Sequence, residues 1–167
     1  HLLARGIRDP LVLAAMGKVP REAFVPQELA EFAYEDSALP IEAGQTISQP
    51  YIVARMIELL ELEPTDKVLE VGAGSGYAAA VLSRIADKVY AIERHAELAK
   101  LAKERLERLG YDNVEIIWAD GTLGLPKQAP FNAILVSAGG PRIPDTLKQQ
   151  LSVGGRLVIP VGRDLHQ

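Results

Sequence analysis

The sequence predicts an α/β domain built on a doubly wound, mainly parallel sheet. Three observations predict it. Short apolar runs alternate with helical patterns from residue 67 onward. Residues 68–77, Val-Leu-Glu-Val-Gly-Ala-Gly-Ser-Gly-Tyr, read as a strand, a glycine turn and the start of a helix. The chain has 167 residues, 48% of them hydrophobic, which is enough for one domain with a substantial core.

The elements follow in order. Pro10 to Val19 reads as a helix, with Asp9 as its cap and Pro10 in its first turn. Residues 21–46 carry poor strand signals and read as irregular. A stronger helix covers Pro50 to Leu62, with Ile52, Val53, Met56, Ile57, Leu59 and Leu60 apolar. Ser48 is placed to cap it, and Pro50 suits its start. Six of the eleven prolines lie in the first 66 residues, so this part is expected to cover the sheet rather than join it.

Strands are expected at 67–71, 88–92, 114–118, 131–137 and 156–161. Helices are expected at about 76–86, 96–109 and 143–152, with Pro144 in the first turn of the last. The helix at 97–109 has the clearest pattern. Leu98, Leu101, Ala102, Leu106 and Leu109 form one apolar stripe, and Gly110 stops it. Strands joined by helices give a parallel sheet with right-handed crossovers, and ligands bind such sheets beyond the carboxyl ends of the strands. Gly72 to Gly76, Glu93, Asp120 and the loop Ser137–Pro141 fall there.

The glycine spacing narrows the ligand. Dinucleotide sites place a third glycine five positions after the first, which here is Tyr77; the third glycine is instead Gly76, and Glu70 stands before the loop. Glycines also serve ordinary tight turns. Glu93 follows Gly76 by 17 positions and ends the next strand. A carboxylate there can accept both ribose hydroxyls of a nucleoside, and the plain alternative is a solvated charge.

Composition excludes several classes. A net charge of −4 and a pI of about 5.4 argue against a nucleic-acid partner. There is no cysteine, which removes disulfides, thiolate metal sites and a thiol nucleophile, and fits a cytoplasmic location. His95 is the only histidine away from the termini, so neither a histidine metal site nor a Ser-His-Asp triad is expected. No apolar run reaches the length of a membrane span and no signal peptide is visible.

Several segments together carry a resemblance. They are Val19-Pro-Arg-Glu-Ala-Phe-Val-Pro26, Tyr34-Glu-Asp36, Leu39-Pro-Ile41, Gly44-Gln-Thr-Ile-Ser-Gln-Pro50, Val68–Tyr77, Ala119-Asp-Gly121, Ala129-Pro-Phe-Asn-Ala-Ile134 and Gly154-Gly-Arg-Leu-Val-Ile-Pro-Val-Gly162. Through nearly its whole length the chain resembles the protein-L-isoaspartate (D-aspartate) O-methyltransferase family, and Gly44–Pro50 is the most specific segment. The resemblance implies a Rossmann-like class I methyltransferase fold. Residues 1–66 then form a substrate-side segment and 67–167 the core of one domain. It also implies the activity. A methyl group passes from S-adenosyl-L-methionine, leaving S-adenosyl-L-homocysteine, to the free α-carboxylate of L-isoaspartyl residues and, less well, D-aspartyl residues. The ester closes to a succinimide that reopens partly to aspartate, which repairs damaged proteins.

The resemblance assigns roles by position. Glu70, Gly72, Ala73, Gly74 and Gly76 match the first cofactor motif. Glu93 matches the ribose acid, with Arg94 beside it, and Asp120 and Gly121 match the segment contacting adenine. Ser48 matches the active-site serine. Gln45, Thr46, Ile47, Ser137 and Ala138 match the substrate side. Asp120 also reads as a turn aspartate, and Ser48 as a pure helix cap. No metal is implied.

Two departures stand out. The family carries two or three alanines before the proline where this chain reads Ser137-Ala-Gly-Gly-Pro141. The chain also stops at Gln167, where methyltransferases of this class continue into a helix and two more strands. The resemblance therefore implies missing C-terminal strands and an apolar edge at Arg156–Val161. A monomer is expected, with self-association through that edge. Two other classes are compatible with a glycine-rich nucleotide site. One is a small-molecule or nucleic-acid methyltransferase, although Ser137-Ala-Gly-Gly replaces the Asn/Asp-Pro-Pro-Tyr/Phe motif of amino-methylating enzymes. The other is a non-catalytic nucleotide-binding module.

Overall fold

A computed structural model describes residues 2–137 and 143–160. Asp9 opens the first helix, α1 (Pro10–Lys18), and its side chain accepts a hydrogen bond from Leu11 N at 2.9 Å. Two strands of two residues follow, β1 (Leu39–Pro40) and β2 (Thr46–Ile47). They pair antiparallel as a ribbon whose tip is the 3-10 turn Glu42–Gly44. Helix α2 (Pro50–Leu59) comes next.

The main sheet then builds strand by strand. β3 (Lys67–Val71), α3 (Tyr77–Ser83), β4 (Lys88–Glu93), α4 (Ala96–Leu109) and β5 (Val114–Trp118) form the first half. β6 (Phe131–Val136), α5 (Asp145–Gln149) and β7 (Leu151–Val158) form the second. The spatial order is β5-β4-β3-β6-β7, and every neighbouring pair is parallel. The chain winds outward from β3 to β5 and then returns beside β3. That reversal is the doubly wound switch point, and the site forms over it.

Alternate residues of the central strands feed opposite faces. Val68, Val89, Ala91, Ala133 and Leu135 face a core shared with α3 and with the N-terminal residues Ile7, Val12, Val19 and Phe24. Leu69, Phe131, Ile134 and Val136 face a smaller core closed by Leu147 of α5. Helix α4 buries Leu98, Ala99, Ala102 and Leu106, and Gly110 ends it at φ +85°.

Four expectations need correction. Ser48 does not cap α2: Pro50, with its fixed φ, opens the helix, so Gln49 is the N-cap and no side chain caps it. The irregular stretch 21–46 contains the β1–β2 ribbon and short 3-10 turns. The last helix is Asp145–Gln149 rather than 143–152, with Pro144 as its N-cap. The last strand starts at Leu151 rather than 156. Leu151 pairs with Phe131, and the register shifts before Arg156 meets Ala133. Gly154 (φ +80°) and Gly155 absorb that shift, and a side chain at 155 would come within 2.8 Å of Asn132 O. Val161 lies outside the described residues. No helix among the described residues is long and apolar enough to cross a membrane.

Candidate active site

A cleft of about 740 Å³ opens beyond the carboxyl ends of β3 and β4, a size usual for small-molecule sites. Its base is the turn after β3. Gly72 N and Ala73 N both donate to Ile92 O, at 2.8 and 2.9 Å, which ties the turn to the end of β4. Gly74 sits at φ +55°, where a side chain is strained. Gly76 (φ +91°) faces away from the cleft: a Cβ there would touch Ala102 and Leu106 of α4 at 3.4 Å. Its role is to let α4 pack close behind the loop.

Two acids meet this turn. Glu93 is almost wholly buried, with 6% of its side chain exposed. Its Oε1 accepts from Gly74 N at 2.9 Å, and its Oε2 accepts from His95 N at 2.9 Å with His95 Nδ1 equally near. Oε1, with a single donor, keeps a lone pair for a ligand hydroxyl. Glu93 therefore both shapes the loop and offers an acceptor to the cleft.

Glu70 is fully buried at the centre of the sheet. Ser137 Oγ donates to its Oε2 at 2.5 Å, while Oε1 is buried without a partner among the described residues. Burial, helped by the nearby Glu93 charge, pushes its carboxyl up to about 8 against the opposing hydrogen bond from Ser137. An orphaned buried oxygen is costly unless something fills its place. In a cleft that already bears Glu93, the natural complement is a cationic group.

The other expected residues divide by wall. Gln45, Thr46, Ile47 and Ser48 line one side, carried on β2 and the residues flanking it. Ala73 lies at the base and Arg94 at the Glu93 end. Asp120 and Gly121 form the far edge. Asp120 is exposed and accepts from Thr122 N at 3.0 Å and Thr122 Oγ1 at 2.8 Å; these bonds hold its carboxyl below the usual range. Gly121 is required by packing, since a Cβ would overlap Val71 Cγ1. Ser137 lines the cleft, and Ala138 lies outside the described residues.

Tyr77, Thr122 and His95 are among the lining residues given no site role from the sequence. Tyr77 is buried at the start of α3, Thr122 supports Asp120, and His95 lies against Glu93. Only His95 carried a signal, its place two residues after the strand-end acid. The ribbon closes the arrangement from above, because Ile41 Cδ1 would lie 3.7 Å from a Cβ at Gly74. The residues fit a nucleoside with a cationic tail: an acceptor at Glu93, an exposed carboxylate at Asp120 and one unpartnered oxygen at Glu70.

Known proteins match this picture. The family model described as protein-L-isoaspartate(D-aspartate) O-methyltransferase matches residues 1–167. A protein-L-isoaspartate O-methyltransferase 2 of Pelobacter propionicus is 66% identical over 162 residues, covering 97% of this chain and 72% of its own length. The enzyme of that name from Protochlamydia amoebophila is 57% identical over 166 residues, covering 99% of this chain and 79% of its own. A solved protein-L-isoaspartate O-methyltransferase superposes with a TM-score of 0.86 at 34% identity. That match spans 95% of this chain and 52% of the other. A Plasmodium falciparum structure described as such an enzyme, in complex with S-adenosyl-L-homocysteine, superposes with a TM-score of 0.80 at 28% identity. It covers 98% of this chain and 82% of the other. The fold is that of the class I methyltransferases, and by sequence and architecture alike this chain belongs to the protein-L-isoaspartate (D-aspartate) O-methyltransferase family.

Proposed function

We propose that this chain methylates the free α-carboxylate of L-isoaspartyl residues, and less well D-aspartyl residues, in damaged proteins. It is an S-adenosylmethionine-dependent methyltransferase, and the methyl ester starts repair by closing to a succinimide. The observation that carries this reading is the placement of Gly44–Pro50. Gln45–Ser48 of this segment, the most family-specific in the chain, line one wall of the cleft whose base is the glycine turn.

The chemistry asks little of the protein's acids and bases. The acceptor carboxylate is ionised at neutral pH, so no proton has to be removed. When bound, the cofactor supplies a methyl group on a cationic sulfonium. Gly72, Gly74 and the Glu93 carboxylate hold the nucleoside end, and Glu70 faces the cationic end. Ser48 orients the acceptor carboxylate by donating a hydrogen bond and is not a covalent nucleophile. Fixing the reacting groups in line contributes on the order of 7–11 kcal/mol. His95 is engaged with Glu93 and is not needed as a base.

The net charge of −4 disfavours nucleic-acid partners. Isoaspartyl proteins and peptides are the partners, the enzyme acts as a monomer, and a chain without cysteine suits the cytoplasm. The deciding experiment is radiolabelled methyl transfer to two peptides that differ in one isoaspartyl linkage. Label on the isoaspartyl peptide alone is expected, and equal label on both would overturn the reading.

A further inference from the structure

Arg21 belongs to a motif that the cofactor site does not absorb, Val19-Pro-Arg-Glu-Ala-Phe. It is 1% exposed, one of the largest fully buried side chains in the molecule. A buried cation is costly unless its charge or its donors are met. No carboxylate pairs with it among the described residues. Its donors instead meet main-chain carbonyls. Nη1 donates to Ser48 O at 3.0 Å and Nη2 donates to Ser37 O at 3.1 Å. Nε is buried without a partner among the described residues, and the guanidinium carbon lies 5.6 Å from the centre of the Tyr77 ring.

The two carbonyls have a shared geometry. Leu39 pairs with Ile47 and Pro40 with Thr46. Ser37 therefore lies just before the ribbon's first strand, and Ser48 just after its second. One planar group spans both stems of the ribbon that carries Gln45–Ser48 to the cleft. The ribbon needs such a clamp, because two strands of two residues are not stable by themselves. Tyr77, under the guanidinium, opens α3 directly after the glycine turn. Arg21 thus sits where the acceptor wall meets the cofactor base.

We propose that Arg21 is a positioning residue for the acceptor: by bridging the two ribbon stems it sets where Ser48 meets the isoaspartyl carboxylate. This rests on the reading of Ser48 as the acceptor-side hydroxyl. Arginine is required rather than lysine, because a guanidinium reaches two carbonyls with one rigid fork and an ammonium is a single flexible point. Arg21 does not line the cleft, and its hydrogen bonds go to the ribbon stems, so the clamp acts on the acceptor through the ribbon.

The test compares wild type with Arg21→Lys and Arg21→Met in three readouts. Amide hydrogen exchange is followed on the S-adenosylhomocysteine complex. In Arg21→Lys the ribbon amides of residues 39–48 should exchange about tenfold faster, with those of α4 unchanged. The KM for an isoaspartyl peptide at saturating cofactor should rise about tenfold, with a smaller fall in kcat. The calorimetric affinity for S-adenosylhomocysteine should stay within about threefold of wild type. Arg21→Met should exceed Arg21→Lys in the first two effects; if it fails to fold, Arg21→Lys carries the test. Unchanged ribbon exchange would overturn the clamp. Parallel loss of cofactor affinity and faster exchange throughout the molecule would overturn it too, by showing a general stabilising role. A wild type that leaves the isoaspartyl peptide unmethylated would sink the functional reading, while the exchange data would still decide whether the clamp exists.

Discussion

Glu70 and Glu93 show how two carboxylates one strand apart take different roles. Glu93 is held by the amides of Gly74 and His95. Glu93→Ala should weaken S-adenosylhomocysteine binding by about 1–3 kcal/mol, because donors lose a charged acceptor. Calorimetry on the folded variant checks this, and unchanged affinity would remove Glu93 from the site. Glu70 is raised to about 8 in the fold by burial, against an ordinary value near 4.5. The folded chain therefore binds the extra proton between these values, and the unfolded chain does not. Stability falls as pH rises through that window, because ionising the carboxyl in place is unfavourable. Glu70→Gln removes the titration, so melting temperatures of variant and wild type should diverge from pH 5 to pH 8, in favour of the variant at the upper end. Identical pH dependence in the two proteins would show that Glu70 titrates normally.

At the scale of elements, packing around the glycines sets the edges of the cleft. Gly121 lies over Val71, the last residue of β3, with no room for a methyl group. Gly121→Ala should cost roughly 1–3 kcal/mol by overpacking. The penalty should shrink in a Val71→Ala background, since the overlapping Cγ1 is gone; a double-mutant cycle on chemical denaturation measures the coupling. Additive costs would mean that the turn, not Val71, absorbs the strain. The same closeness explains what could be read in advance. The α4 stripe and the β3 run follow clear periods, so their bounds, Ala96–Leu109 and Lys67–Val71, match the expected ranges. Strands of two residues have no period to detect, so the ribbon was invisible. The strand expected from residue 156 begins at Leu151, because Gly154-Gly155 carry a register shift inside it that breaks the apolar run. Ser48 looked like a cap because a serine before Pro50 fits that pattern, yet the helix begins one residue too late for it. Nothing local marks Arg21 as buried; only the fold brings Ser37 and Ser48 to it.

For the molecule as a whole, selectivity rests on placing a carboxylate rather than on recognising a charge. Isoaspartate and aspartate carry the same groups, and they differ in whether one methylene belongs to the backbone or to the side chain. The free carboxylate of isoaspartate is on the short arm. A rigid distance between the ribbon wall and the glycine turn can discriminate it, and Ser48 stands on that wall. Methylation of an isoaspartyl peptide with essentially none of its aspartyl counterpart is the expected outcome. Ser48→Ala should lower turnover and leave S-adenosylhomocysteine affinity nearly unchanged, as follows from the acceptor-side role proposed for its hydroxyl. The pH profile separates this mechanism from one using a base. With cofactor and peptide both saturating, turnover should stay flat from about pH 6 to 8, since the acceptor is ionised throughout. Glu70 should affect only the approach to saturation, where its ionisation favours a cationic ligand. A steep rise in saturated turnover through about pH 6.5 would mean that a histidine gives up a proton in the slow step. His95, in contact with Glu93 and on the cleft, would then be the base, and Ser48 would no longer suffice to account for the acceptor side.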